Sequence, residues 1–230
     1  MTYLLLMIPG MLLMAWAQWH VKGTYYKYAE VASSLGMTGA EVAQSILHNM
    51  GVNDVIVEPV PGELSDHYDP SARAVRLSEG VYGSTSLSAA AIAAHECGHV
   101  LQDVNHYFPM NIRASLVPFA NFGSQFSTMI VMLGVGLASS GSGLGDVVTN
   151  VGIALFLTAV LFHVVTLPVE FDASRRALKI INDLGILQGD ENKAAKRVLS
   201  AAAFTYIATT IYYVLQLIQL LMMRRRNANY

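Results

Sequence analysis

A single cysteine, Cys97, leaves this 230-residue chain without an internal disulfide and without a cysteine-built metal site. One thiol also fits a reducing compartment. Charge is scarce: Asp, Glu, Lys and Arg make up 13% of the residues, against about a quarter in soluble domains. The net charge is −2, so no basic excess exists to draw the chain to nucleic acid. Internal repeats and low-complexity tracts are missing as well.

What is abundant is apolar side chain, at 53% of residues with a mean hydropathy of +0.43. A bilayer crossing takes about 20 mostly apolar residues in a helix. Four stretches approach that: 2–19, 116–138, 147–167 and 202–223. The first is short, and Pro9-Gly10 is expected to interrupt it. Its rival reading is a secretory signal, since Ala15-Trp16-Ala17 fits a small-x-small cleavage pattern. No basic residue precedes Tyr3, however, and Trp16, Trp19, Tyr25 and Tyr26 suit an interfacial aromatic belt, so a retained span is expected. The second and third stretches are joined by the uncharged turn Ser139-Ser140-Gly141-Ser142-Gly143 and make a transmembrane hairpin over 116–167. The fourth stops at Arg224-Arg225-Arg226, which opens a basic tail over 224–230.

Two polar parts remain, 20–115 and 168–200. The first opens with a tether over 22–36. Thr38 with Glu41 forms a capping-box pattern, and Val42, Ile46 and Leu47 follow at helical spacing. Gly51 suits the left-handed position that closes such a helix. Residues 54–60 and 72–77 read as short strands, with His67-Tyr68-Asp69-Pro70 as a turn between them.

The chemistry sits in Ser88-Ala89-Ala90-Ala91-Ile92-Ala93-Ala94-His95-Glu96-Cys97-Gly98-His99. Alanine-rich sequence favours helix, and Ser86 or Ser88 can cap it. His95 and His99 stand at i and i+4, so both imidazoles leave one helix face a turn apart. Zinc takes neutral imidazole nitrogens in a tetrahedral shell, and one helical turn sets that bite. Glu96, directly after the first ligand, is placed to act as catalytic base on a water that the metal activates. The bland alternative is a surface helix with ordinary histidines, but an uncharged helix has little other use for a His-Glu-His cluster. Cys97 points away from the histidine face, as a small core residue.

Two histidines need a third protein ligand. Glu170 is the preferred candidate over Asp172, in Leu167-Pro168-Val169-Glu170-Phe171-Asp172-Ala173-Ser174-Arg175-Arg176. Asp172 could instead hold a ligand histidine by hydrogen bond. Alternatively, both acids pair with Arg175, Arg176 or Lys179. His163 lies within the third apolar run, where a histidine is a functional suspect or a partner for another helix.

His95-Glu96-Cys97-Gly98-His99 followed by Glu170-Phe171-Asp172-Ala173-Ser174 after a membrane hairpin resembles the neutral zinc metallopeptidase family of bacterial membrane proteins, the YugP type. Thr38-Gly39-Ala40-Glu41-Val42-Ala43, His67-Tyr68-Asp69-Pro70 and Val75-Arg76-Leu77-Ser78 carry the same likeness, which covers nearly the whole chain. A more distant likeness is to the HtpX heat-shock protease and the CAAX prenyl proteases. In those, an aspartate four residues after the glutamate ligand steadies a histidine; here that position is Ser174. The resemblance also implies that the strand before the zinc helix, 72–77 here, binds substrate by edge pairing, with a plain structural strand as the alternative.

The expectation is a mainly α membrane protein with about four transmembrane helices and a small α+β zincin-like metallopeptidase domain. It would hold one Zn2+ per chain on His95, His99 and Glu170, with Glu96 catalytic. It would cleave peptides or membrane proteins beside the lipid bilayer and bind no nucleic acid. A catalytically silent zinc-binding scaffold and a small transporter are the competing readings. Intact Glu96 argues against the first and the scarcity of ionisable residues in the spans against the second. Substrate, partner protein and oligomeric state stay open. All Lys and Arg except Arg224, Arg225 and Arg226 fall on the motif's side of the membrane, so the site is expected to face the cytoplasm of a multi-pass cell-membrane protein. The arginine triplet opposes that orientation.

Overall fold

The computed structural model describes residues 2–227, so the end of the basic tail, 228–230, lies outside the described residues. Among the described residues, seven helices and three strands follow in the order α1 (Thr2–Ala29), α2 (Gly39–Asn49), β1 (Ile56–Val60), β2 (His67–Asp69), β3 (Ala74–Ser78), α3 (Glu79–Tyr82), α4 (Leu87–Val104), α5 (Phe108–Ser139), α6 (Gly145–Asp183) and α7 (Gly189–Asn227). They divide into two compact units. One takes the chain up to Ala17, Phe108–Pro168 and the chain from Thr205; the other takes Gln18–Tyr107 and Val169–Phe204.

The first unit is apolar. Among the described residues, α5, α6 and α7 are long and apolar enough to cross a membrane. Their most apolar windows are buried over only 22%, 28% and 33%, which suits helices surrounded by lipid better than the core of a soluble protein. α1 is not among them. Pro9 sits inside an unbroken α1, as do Pro118 in α5 and Pro168 in α6. The expected interruption at Pro9 is therefore not seen. One missing N–H leaves the rest of the ladder intact, a loss apolar helices tolerate when neighbours pack around it.

Small residues set the α5–α6 contact. A Cβ on Gly123 would lie 2.2 Å from the Leu155 carbonyl oxygen, and one on Gly134 would lie 2.4 Å from the Thr149 backbone nitrogen. Such contact lets backbones approach where lipid supplies no hydrophobic drive. Val131, Phe156, Val160 and Leu220 form the buried cluster, and Tyr213 of α7 stacks on Phe156.

The second unit is a small α+β layer. β3 lies in the middle of the sheet, parallel to β1 and antiparallel to β2. Val75 pairs with Val57 on one side and Tyr68 on the other. His67–Asp69, expected as a turn, is thus a strand. The turn comes later, where Asp69 Oδ1 accepts from the backbone of Ser71 and Ala72. Thr38 caps α2 through the reciprocal bonds with Glu41, and Gly51 has φ +71. Ser86 caps α4 by accepting from the Ala89 N–H at 3.2 Å. Buried Val42 and Ile46 of α2, Val75 and Leu77 of β3, and the alanines of α4 make the core.

Helices run further than the sequence suggests. α1 continues through Ala29, over much of the expected tether. α6 passes Pro168 and reaches Asp183, and a short turn with Gly185 at φ +70 leads to α7. Charged residues past an apolar run are compatible with helix, so a change of composition does not end one.

Candidate metal centre

α4 places His95 and His99 one turn apart on one face, with ring centroids 4.7 Å apart and rings crossing at 84°. α6 crosses α4 closely because Gly98, between the histidines, has no side chain. A Cβ there would stand 2.5 Å from the Ala173 carbonyl oxygen. Ala173 and Ala177 complete this bare contact, and both are fully buried. The close crossing carries Glu170, three residues before Ala173, to the histidines. Its Oε2 lies 3.3 Å from His95 Nε2 and 3.6 Å from His99 Nε2.

These donors fit zinc. Ligand bonds of about 2.0–2.1 Å in a tetrahedron put neighbouring donor atoms about 3.3 Å apart. One atom from each of His95, His99 and Glu170 lies within 4.8 Å of the others, and among the described residues this is the group that could hold a metal. Two neutral nitrogens and a carboxylate also leave a fourth position open, as a catalytic rather than a structural zinc requires.

Electrostatics favour an anionic Glu170. Burial alone would raise its pKa, but the adjacent imidazoles of His95 and His99 overcome that and hold the carboxyl well below the usual range. Glu96, also buried, behaves differently. Burial pushes its carboxyl up, and the positive influence of His95 and His99 only partly offsets it. Burial would lower the pKa of His99, but its bond to Glu170 and the charges of Glu170 and Glu96 raise it overall. Cys97 is inert: it is buried, its Sγ faces the Ala43 carbonyl at 3.7 Å, and burial raises its pKa far above that of a free thiol.

Around the three donors the structure sorts the residues that sequence left open. Ser174 Oγ meets His95 Nδ1 at 3.1 Å. Asp172 is held by Arg175 and Arg176 and accepts from the side-chain amide of Gln102. That amide's oxygen in turn meets His99 Nδ1 at 3.0 Å. The pairing with Arg175 and Arg176 weighed as the alternative thus holds for Asp172, and Arg176 also lies over the Tyr107 ring. Lys179 pairs with Asp183 instead. Gln102 escaped sequence reasoning. Its signal was available, since it stands three residues after His99 as the one side-chain amide of α4.

Other candidates fall elsewhere. His67 is exposed, with Nδ1 against the Ser65 carbonyl, and Asp69 pairs with Arg76. His163 belongs to the apolar unit, its ring against Tyr213. The strand expected to bind substrate by its edge, β3, has both edges occupied by β1 and β2. β1 runs along all five of its residues and β2 along Ala74, Val75 and Arg76, which favours the structural reading of that strand.

Comparison with known proteins adds three findings. A model of the family described as "Putative neutral zinc metallopeptidase" matches residues 3–225. A curated relative, "Putative membrane protease YugP" of Bacillus subtilis (strain 168), is 42% identical over 222 residues, covering 96% of this chain and 96% of the relative. No solved structure matches the chain.

Proposed function

The chain belongs to this neutral zinc metallopeptidase family, and from that premise we propose that it is a membrane-embedded, zinc-dependent endopeptidase. It hydrolyses peptide bonds of peptides or membrane proteins close to the bilayer. His95, His99 and Glu170 hold one zinc ion per chain, and Glu96 is the catalytic base. The observation that carries this reading is the convergence of the three donor atoms at zinc-compatible spacing, with a buried carboxyl next in sequence to the first.

His95, His99 and Glu170 would hold the zinc ion, which when bound would supply Lewis acidity for the hydrolysis of a peptide carbonyl. Glu96, buried next in sequence to His95, would accept a proton from the attacking water and return it to the leaving amine. Its raised pKa suits both duties, since a base that must also act as acid works best nearer neutrality. Burial of Glu96, His99 and Glu170 excludes bulk water and strengthens each polar interaction.

The membrane reading rests on α5, α6 and α7. α6 has 39 residues, about 58 Å of helix, whereas the hydrocarbon core needs only about 30 Å. Glu170 follows the run 147–167 by three residues, a rise of about 4.5 Å in the same helix. The short sequence separation of Glu170 from that run is what supports the reading of cleavage beside the bilayer. The start of α1 clusters with α5–α7, and Gly10 faces Leu215 and Tyr212 of α7, which supports α1 as a fourth span. Gln18–Tyr107 with Val169–Phe204 would then be the zincin-like domain, on the cytoplasmic side.

The test is direct. The full chain, purified in detergent, should contain one zinc per chain and cleave an unstructured protein such as casein. Glu96→Gln should keep the zinc and lose cleavage by orders of magnitude. Absence of zinc, or full cleavage by that variant, would overturn the reading.

A further inference from the structure

Gln102 is fully buried in α4, one turn beyond His99, and its side-chain amide has three hydrogen-bond contacts. Its Nε2 donates to the Val169 carbonyl at 2.8 Å and to Asp172 Oδ2 at 3.0 Å. Its Oε1 lies 3.0 Å from His99 Nδ1. A glutamine amide has two N–H donors and one oxygen. The two partners on α6 are both pure acceptors, so both N–H groups must point at them. The opposite amide orientation would set oxygen against a carbonyl and a carboxylate, three acceptors with no proton among them. The oxygen therefore faces His99, and His99 must donate from Nδ1.

We propose that Gln102 is a positioning residue: it fixes the proton of His99 on Nδ1, leaves the Nε2 lone pair for a metal, and relays the hold of Asp172 to that imidazole. The inference rests on the zinc reading for its consequence, but its proton placement stands on the amide geometry. A carboxylate bonded directly to a ligand imidazole would pull strongly on its proton. Here a neutral amide stands between, and Arg175 and Arg176 already balance Asp172. The device thus orients His99 without placing an unbalanced charge beside it. It also ties α4 to α6 on either side of Glu170, through Val169 and Asp172, so ring orientation and the third donor are set together. His95 lacks this control, because the Ser174 hydroxyl at its Nδ1 can either donate or accept.

The experiment uses the full chain in detergent, with 15N-labelled histidine. Variants are Gln102→Met, which keeps side-chain length without the amide, Asp172→Ala, and the pair together. Two readouts are taken: the ring-nitrogen shifts of His99 at alkaline pH in metal-free protein that also carries Glu170→Ala, which removes the carboxylate 3.6 Å from His99 Nε2, and the zinc dissociation constant by chelator competition with Glu170 intact. With Gln102 in place His99 should be protonated on Nδ1, and Gln102→Met should lose that exclusive tautomer. Zinc affinity should fall about 10–100-fold in Gln102→Met. Asp172→Ala alone should weaken zinc binding, yet add little once Gln102 is Met. An unchanged His99 tautomer in Gln102→Met overturns the proposal, and so do losses that multiply in the double variant. If Gln102→Met does not fold, Asp172→Ala decides alone, and an unaltered tautomer with unaltered zinc binding refutes the relay. A wild type that binds no zinc would sink the peptidase reading, while the tautomer would still judge Gln102.

Discussion

Glu170 and Asp172 stand two positions apart on one helix and do opposite things. Successive positions on a helix turn by about 100°, so residues two apart leave different faces. Glu170 reaches both imidazoles, and Asp172 reaches Gln102 and two arginines. Glu170→Ala should therefore abolish stoichiometric zinc, as should His95→Ala or His99→Ala, whereas Asp172→Ala should weaken binding only about 10–100-fold. Metal analysis after dialysis against a graded series of chelators reads the difference. Loss of zinc from the Asp172 variant and retention by the Glu170 variant would reverse the assignment. Much of this was legible beforehand: the i, i+4 histidines, Glu96 and a downstream carboxylate are all sequence features. Which carboxylate meets the histidines, and that an amide intervenes for the other, depends on how α4 and α6 rotate against each other.

At the scale of elements, the α4–α6 crossing depends on a missing Cβ. Gly98→Ala adds one methyl group that would meet the Ala173 backbone at 2.5 Å. Backbone cannot swing aside as a side chain can, so the helices must separate. The expected cost is about 1–3 kcal/mol, with weakened zinc binding because Glu170 moves away from the histidines. The same substitution at Gly23 of α1 should act in the other direction. A Cβ there meets nothing within 4 Å, and alanine is favoured over glycine in a helix by about 0.8–1.0 kcal/mol. Thermal unfolding of both variants, with and without zinc, checks the pair. A neutral Gly98→Ala would mean the crossing is looser than drawn. Capping followed sequence closely here: Thr38 with Glu41, Gly51 and Ser86 all act locally, through bonds to residues two or three positions away. Element ends further from such signals were less legible, as α1, α5 and α6 run through prolines.

For the whole molecule, the distribution of basic residues predicts an orientation. With α1, α5, α6 and α7 all crossing, both termini share one side and the metal centre takes the other. The Lys and Arg near the membrane on the metal-centre side, among them Lys22, Lys27, Arg113, Arg175 and Arg176, predict that this side is cytoplasmic. A fusion after Tyr230 should then give active alkaline phosphatase and a dark fluorescent protein. The reverse pattern, with four crossings established by cysteine labelling, would put the metal centre outside. Arg224, Arg225 and Arg226 abut the last span and pull towards that reverse outcome. Moving them to lysine-free, uncharged residues should strengthen the predicted pattern.

The sequence by itself determined the spacing of the candidate ligands and the local structure. Histidine spacing, the adjacent glutamate, the apolar runs and the caps each depend on a few neighbouring residues, and periodicity or hydrogen bonding over one turn is enough to read them. Tertiary structure decided everything that joins distant segments. It put β3 inside the sheet rather than at its edge, because a strand's neighbours come from elsewhere in the chain. It chose Glu170 over Asp172 to meet the histidines, and it drew Gln102 into the histidine network, because a crossing between two helices depends on the shape of both. Gly98 shows why: its role lies in the atom it lacks, and that absence has meaning only when Ala173, 75 residues away in sequence, comes to rest against it.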